Sequence, residues 1–361
     1  MRRRKTRTVY LGNVPVGSRH RISIQSMTKT DTRDAVATIN QIKRLEQAGC
    51  EIIRVAVPDM DAADALRVIK KHVSIPLVAD IHFNYRLALK AIRHGVDGLR
   101  INPGNIGSRA NVEKVVKAAA DAKVPIRIGV NSGSIEKEFR NSIRGQGKEL
   151  TETTAQAMVR SALKHIAMLE KMKFHDIKVS LKASDVQTTL LAHKLLAHEC
   201  DYPFHIGITE AGTLLTGAVK SAVGIAMLLS KGYGDTVRVS LSAPPEREVT
   251  VARTILRSLG AREAGPEVIS CPTCARCTID VEGLASEVER RLSGTESPIS
   301  VAVMGCAVNG PGEAARADYG VAGGRGKGVI FRHGKVVCRN VEESNIIEAL
   351  LSQIEELKEF D

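Results

Sequence analysis

Ile126-Arg127-Ile128-Gly129-Val130-Asn131 alternates apolar and polar residues without a break. Side chains on a strand have a period of two, so Ile126, Ile128 and Val130 share one face while Arg127, Gly129 and Asn131 share the other. The same division runs through Val78-Ala79-Asp80-Ile81-His82, where Ala79 and Ile81 are apolar and the even positions grow more polar. It recurs in Leu99 and Ile101 against Arg100 and Asn102, and in Ile177, Val179 and Leu181 against Lys178, Ser180 and Lys182. Val237, Val239 and Leu241 against Arg238, Ser240 and Ser242 repeat it again. Together with Ile22 to Met27, Ile52 to Val57 and Phe204 to Thr209, these make eight strand-like runs.

Between the runs lie segments with helical spacing, among them Asp34 to Ala48, Asp61 to Lys71, Arg86 to His94 and Arg109 to Ala122. Gly49 and Gly95 follow two of these as stop signals. Alternating strand and helix units imply a parallel sheet, and eight is the count of a closed (β/α)₈ TIM barrel. An open doubly wound sheet, covered on both faces, would read as nearly continuous apolar runs. The polar face found here instead fits a barrel lumen that opens at the C-terminal rim.

Arg54, Arg100, Arg127 and Lys182 then come from four strands and converge on one mouth. Converging cations repel one another, so the expected occupant is an anion with one or two phosphates, with Asn102 and Asn131 as neutral donors. Pairing with barrel carboxylates would account for one or two of these cations, but not for the set. Asp80, His82 and Glu210 sit at the same rim and are the available proton carriers, although any one of them alone also suits a structural role. Gly133 to Glu149 is a polar insertion that reads equally as a lid or as a surface loop.

The chain has 361 residues, 43% hydrophobic and 25% charged, enough for a large domain and a smaller one. Its longest apolar stretch, Ala222 to Leu229, is far short of the roughly 18 residues of a membrane span. Arg2, Arg3, Arg4, Lys5 and Arg7 make a basic start with no apolar region after it, so a solvated tail and a cytoplasmic protein are expected. The net charge of +12 points to anionic company. With no Trp and 3% aromatic residues, stacking platforms for single-stranded nucleic acid are scarce, which lowers that reading.

Helical periodicity of the eighth unit ends near Leu259, and Gly260 to Ser270 has linker character. This places a barrel domain at 1–262 and a smaller α+β domain at 263–361. The smaller domain holds Cys271-Pro272-Thr273-Cys274-Ala275-Arg276-Cys277 and, further on, Met304-Gly305-Cys306-Ala307-Val308-Asn309-Gly310-Pro311-Gly312-Glu313. In a chain of this length, thiols so spaced favour metal ligation or redox chemistry over a disulfide framework. Zinc and an iron–sulfur cluster would accept the same residues, and the Gly- and Pro-rich setting of Cys306 favours the cluster. Gly324 to Gly328 is not a phosphate-binding loop, since Val321 stands where the first Gly should be and no Ser or Thr follows Lys327; a flexible turn is expected.

Taken together, Asp80-Ile-His82, Leu-Arg100-Ile-Asn102-Pro-Gly-Asn, Ile-Arg127-Ile-Gly-Val-Asn131, Gly-Ile-Thr209-Glu210, Cys271-Pro-Thr-Cys274 and Gly-Cys306-Ala-Val-Asn309-Gly-Pro-Gly-Glu313 resemble the bacterial 4-hydroxy-3-methylbut-2-enyl diphosphate synthases of the non-mevalonate isoprenoid pathway. The resemblance runs from about residue 8 to the end of the chain. It implies a [4Fe-4S] oxidoreductase that opens the ring of 2-C-methyl-D-erythritol 2,4-cyclodiphosphate and removes a hydroxyl. Cys271, Cys274 and Cys306 match the family's cluster ligands, and Glu313 matches its exchangeable carboxylate ligand. Cys277 departs from the pattern and is read as a bystander. The resemblance assigns Arg54, Arg100, Asn102, Arg127, Asn131 and Lys182 to the diphosphate, with His82, Thr209, Ser240 and Asn309 as further contacts. Glu210 is the expected proton donor, ahead of Asp80 and His82. Reduced flavodoxin or ferredoxin as electron donor, and a head-to-tail homodimer, are implied as well. The readings in competition are a zinc-containing nucleic-acid-binding protein and a non-redox barrel lyase acting on a phosphorylated sugar.

Overall fold

The computed structural model describes residues 2–102, 106–262, 265–292, 295, 297–308 and 310–355. By its contacts the chain divides into two compact units, Met1–Arg262 and Glu263–Asp361. The first is a barrel of parallel strands, β3 (Ser23–Met27), β4 (Ile52–Ala56), β5 (Leu77–Asp80), β6 (Gly98–Ile101), β7 (Ile126–Asn131), β8 (Ile177–Lys182), β9 (His205–Ile206) and β10 (Thr236–Val237). They pair in the order β8-β7-β6-β5-β4-β3-β10-β9. A parallel bridge between Val179 and Phe204 closes the ring.

Barrel closure explains the alternation. Ile53, Val55, Ala79, Ile126, Ile128, Val179 and Leu181 join the core formed with the surrounding helices, so the intervening positions face the lumen. Helices α1 (Ala35–Gln47), α2 (Met60–His72), α3 (Tyr85–Arg93) and α7 (Val186–Ala197) each follow a strand. All four begin at an Asp or Asn whose side chain accepts an N-terminal amide: Asp34, Asp59, Asn84 and Asp185. Among the described residues no helix is long and apolar enough to cross a membrane.

A hairpin of β1 (Val9–Leu11) and β2 (Val14–Val16), absent from the sequence-based expectation, closes the end of the barrel opposite the mouth. Leu11 and Val16 pack with the lumen residues Ile52 and Val78. A Cβ at Gly98 would lie 2.7 Å from Leu11 Cδ2, so glycine there admits the plug.

The basic start is likewise not a solvated tail. Arg2 and Lys5 are exposed, but Arg3 donates to the Gly17 carbonyl at 3.0 Å and pairs with Asp235, whose side chain is 3% exposed. Asp235 also accepts the Phe204 amide at 2.8 Å. Arg4 lies 3.9 Å over the Phe204 ring, and Arg7 lies 4.2 Å over Tyr202. Composition cannot reveal this, because the carboxylate and rings that organise these arginines are roughly two hundred residues away. Removing one partner of a buried pair leaves the other charge uncompensated, at about 3 kcal/mol. Arg3→Ala should therefore lower the melting temperature of the full chain by roughly 5 °C. A thermal melt within a degree of the parent would show that the clamp is dispensable.

The insertion after β7 is exposed over most of its length and anchored at its start. Ile135 is buried, and the Glu136 carboxylate lies 2.7 Å from the fully buried His165 on α6 (Gly147–Lys171). Burial opposes ionisation of Glu136, but the close approach of His165 and Ser161 outweighs it and holds the pKa at about 2. The short helix α5 (Lys137–Arg140) lies between these anchors and α6.

The second unit is a five-stranded sheet ordered β11 (Glu267–Ser270), β12 (Ser300–Met304), β13 (Tyr319–Gly324), β14 (Lys327–Arg332), β15 (Lys335–Glu342). The first three strands run parallel, and the last two are antiparallel additions. Val301, Val303, Val321 and Ile330 face α10 (Val281–Leu292) and α12 (Ile346–Glu355). Ala302, Met304, Ala322 and Phe331 face the other way, with Ala314 of α11 (Gly310–Ala314). β11 lies within the stretch read as linker. It is an edge strand, largely exposed, so it lacks the apolar alternation that marks a buried one. The turn expected between Gly324 and Gly328 is the β13–β14 hairpin, with Arg325 and Gly326 both at positive φ.

Candidate active site

The barrel's lumen-facing cations are Arg54 on β4, Arg100 on β6, Arg127 on β7, Lys178 and Lys182 on β8, and Arg238 just after β10. Arg54, Arg100, Arg127, Lys178 and Lys182 are each less than a tenth exposed. Lys178 and Arg238 belong to the same alternation in the sequence, but their depth could not be read from it. Gly129 separates Arg127 from Asn131 because the Arg100 guanidinium crosses it; a Cβ there would stand 2.6 Å from Arg100 Nε.

Among the described residues one carboxylate, Asp80, pairs with this ring. Its oxygens lie 3.1 Å from Arg100 Nη1 and 3.5 Å from Arg54 Nη1. Burial would raise its pKa, but Arg54, His82, Arg100 and Arg127 together carry it far below the ordinary carboxylate range. Arg54 also donates to Met27 Sδ at 2.9 Å, and Arg127 reaches Gln25 Oε1 at 3.4 Å. The Nε atoms of Arg54, Arg127 and Arg238 are buried without a hydrogen-bond partner. Burial first, and then neighbouring arginines, push Arg54 down to about 9 and both Arg127 and Lys182 well below their ordinary values. A guanidinium keeps its proton in proteins, so the cost of this crowding appears instead as affinity for an anion.

At the rim, His82 Nε2 lies 2.6 Å from Arg100 Nη1. The same nitrogen stands 3.4 Å from Asp80 Oδ1, so the imidazole lies between the guanidinium and its carboxylate. Asn102 is buried, whereas Asn131, Thr209 and Ser240 are half-buried at or just beyond strand ends. The Thr209 amide donates to the Ala183 carbonyl at 3.3 Å, tying the loop after β9 to the neighbouring strand. Glu210 follows it, exposed and with φ +51, a left-handed backbone that a non-glycine residue adopts only where its surroundings hold it.

In the second unit the parallel register pairs Ser270 with Val303. Cys271 and the Gly305-Cys306 pair therefore leave adjacent strands at the same edge. The Gly305 amide donates to Cys271 Sγ at 3.3 Å. Cys274 and Glu313 are exposed, and Cys306 is half-buried. Cys277 is turned inward: its thiol donates to the Ile279 carbonyl at 3.1 Å, and a Cβ at Gly305 would collide with its sulfur. No described cysteine is in a disulfide. Among the described residues no three His, Cys, Asp or Glu side chains stand in metal-binding geometry. The donor set still suits an iron–sulfur cluster, because Cys271 and Cys306 leave adjacent strands at one edge and a backbone amide points at sulfur. Asn309 lies outside the described residues.

The family model of the GcpE TIM-barrel domain matches residues 6–253, and that of the GcpE protein C-terminal domain matches residues 267–356. A relative from Geobacter sulfurreducens is 55% identical over 353 residues, covering 98% of each chain. One from Caldanaerobacter subterraneus subsp. tengcongensis is 56% identical, again over 98% of each. One from Clostridium acetobutylicum is 52% identical over 99% of this chain and all of its own. Each of the three is a 4-hydroxy-3-methylbut-2-en-1-yl diphosphate synthase (flavodoxin). Matched by both domain models in order, and by relatives at more than half identity along nearly its whole length, the chain belongs to the GcpE family.

Proposed function

We propose that the chain converts 2-C-methyl-D-erythritol 2,4-cyclodiphosphate to (E)-4-hydroxy-3-methylbut-2-enyl diphosphate, taking up two electrons and two protons and releasing one water. The observation that carries this is the buried cation ring with Asp80 as, among the described residues, its one paired carboxylate, a site whose charge balances only when a polyanion enters. The relatives' names support the substrate and the flavodoxin donor. A net charge of +12 would steer a small acidic partner of that kind.

Arg54, Arg100, Arg127, Lys182 and Arg238 grip the diphosphate, with Asn102, Asn131, Thr209 and Ser240 as neutral donors. Asp80 stays ionised and aligns Arg54 and Arg100, which removes it from the proton carriers. His82, beside Arg100 and Asp80 at the rim, is a further polar contact for the substrate. Glu210, exposed at the rim on a constrained backbone, is the proton donor. Cys271, Cys274, Cys306 and Glu313 would hold a [4Fe-4S] cluster. When bound, that group supplies the electrons and a Lewis-acid iron for the C–O bond that breaks. The assembly is a cytoplasmic homodimer in this reading.

The direct test is anaerobic turnover of the cyclodiphosphate by the purified chain with reduced flavodoxin. Absence of product with an iron-loaded chain sinks the assignment. Glu210→Gln keeps the shape and loses the proton, so it should bind substrate normally and turn over roughly 10² to 10⁴ times more slowly. Unchanged turnover would end that role.

A further inference from the structure

Lys178 lies one layer below the site just described, and nothing in that reading uses it. It is 2% exposed on β8, with Arg127 as its register partner on β7. Its hydrogen bond is to Thr236 Oγ1 at 3.3 Å. The groups facing it are Arg127 from β7, His205 from β9, Thr236 with Asp235 from β10 and its approach, and Gln25 from β3. His205 is fully buried, with neither ring nitrogen hydrogen-bonded. Asp235, the one carboxylate in this set, is engaged by Arg3 and by the Phe204 amide.

A cavity of about 10 Å³ touches Gln25, Arg127 and Lys178, walled by Leu11, Val78, Leu99, Pro125 and Ile126. It has the room of one water and none for a counter-ion. Compensation for a charge on Lys178 must therefore come from above, through the ring. A cation here also drives the Arg127 guanidinium away from Gln25 and toward the mouth.

We propose that Lys178 is a positioning residue of the anion site, an amine beneath Arg127 that takes one proton from solvent when a polyphosphate fills the ring, and that as an ammonium it holds Arg127 against the bound anion. The step is proton uptake alone, with no other bond made or broken. Burial and the nearness of Arg127, which together press the lysine's pKa well below its ordinary value, support it. The proposal rests on the reading of the ring as a diphosphate site.

The test is calorimetric titration of the full chain with inorganic pyrophosphate in two buffers of different ionisation heat, for the parent and for Lys178→Met. Protonation of pyrophosphate itself and of Lys182 cancels in the comparison. The parent should take up about one proton more per bound anion and bind roughly tenfold more tightly. The variant should melt no lower than the parent, because an apolar side chain of similar length replaces a buried amine whose hydrogen bond to Thr236 is long, at 3.3 Å. A purely structural lysine would instead lower the melt and leave the proton count alone. Equal affinity and equal proton uptake in the two proteins overturn the proposal while leaving the diphosphate site intact. A parent that does not bind pyrophosphate overturns the diphosphate reading, and this inference with it. Should the Met variant fail to fold, Lys178→Gln carries the same comparison.

Discussion

Arg127→Met should bind inorganic pyrophosphate about a hundredfold more weakly than the parent and yet unfold at a higher temperature. Arg127 is 4% exposed, its Nε has no hydrogen-bond partner, and its nearest acceptor is Gln25 Oε1 at 3.4 Å. Among the described residues no carboxylate pairs with it. In the anion-free protein its guanidinium is therefore a desolvated charge beside Arg54 and Arg100. Replacing such a group with an apolar side chain of similar length relieves a cost of about 1 to 4 kcal/mol. With the anion present the sign reverses. A buried charge-assisted contact is lost, about 2 to 5 kcal/mol, which sets the expected fall in affinity. Calorimetry and a thermal melt on the same preparation read both. Unchanged affinity would remove Arg127 from the anion site, and a melt several degrees lower would mean that the arginine is structurally paired after all.

This opposition of stability and binding also explains which parts of the molecule were legible in the sequence. Arg54, Arg100, Arg127 and Lys182 break the apolar runs at a fixed parity, and no packing argument excuses a cation there, so their convergence could be read directly. Lys178 shares that parity. What set it apart was depth, since the register that places it beside Arg127 at the floor depends on strand stagger and not on any local pattern. Pairing of the arginines with carboxylates was expected for one or two of them, and Arg54 and Arg100 share Asp80. The features missed are those made by distant partners or by edges. The basic start depends on Asp235 and Phe204, and the β1–β2 plug on a glycine in β6. β11 lacks an apolar face because only one side of it meets another strand. Strands β9 and β10 are two residues each, far shorter than the runs that announced them, and Gly207 at positive φ follows directly on β9.

In the cysteine edge, Cys271→Ser and Cys277→Ser should part company completely. Spacing alone would let either sulfur ligate metal, since both sit on one short turn. The structure gives them different surroundings. Cys271 directly follows β11, its amide donating to the Val303 carbonyl at 3.3 Å, and its sulfur accepts the Gly305 amide. Cys277 faces the interior, and its S–H is spent on the Ile279 carbonyl. Gly305 lacks a side chain because that sulfur occupies the space. Prepared without air, Cys271→Ser should lose most of its iron, the brown colour and all but about a hundredth of the turnover, since a metal ligand has been removed. Cys277→Ser should keep iron, spectrum and turnover, and lose about 1 kcal/mol of stability from a weaker fit against Gly305. Iron per chain, the visible spectrum and a melt of each variant decide the matter. A fully loaded Cys271→Ser protein, or an iron-free Cys277→Ser protein, would move the ligand set one turn along the chain and take from Glu313 the open position assigned to it.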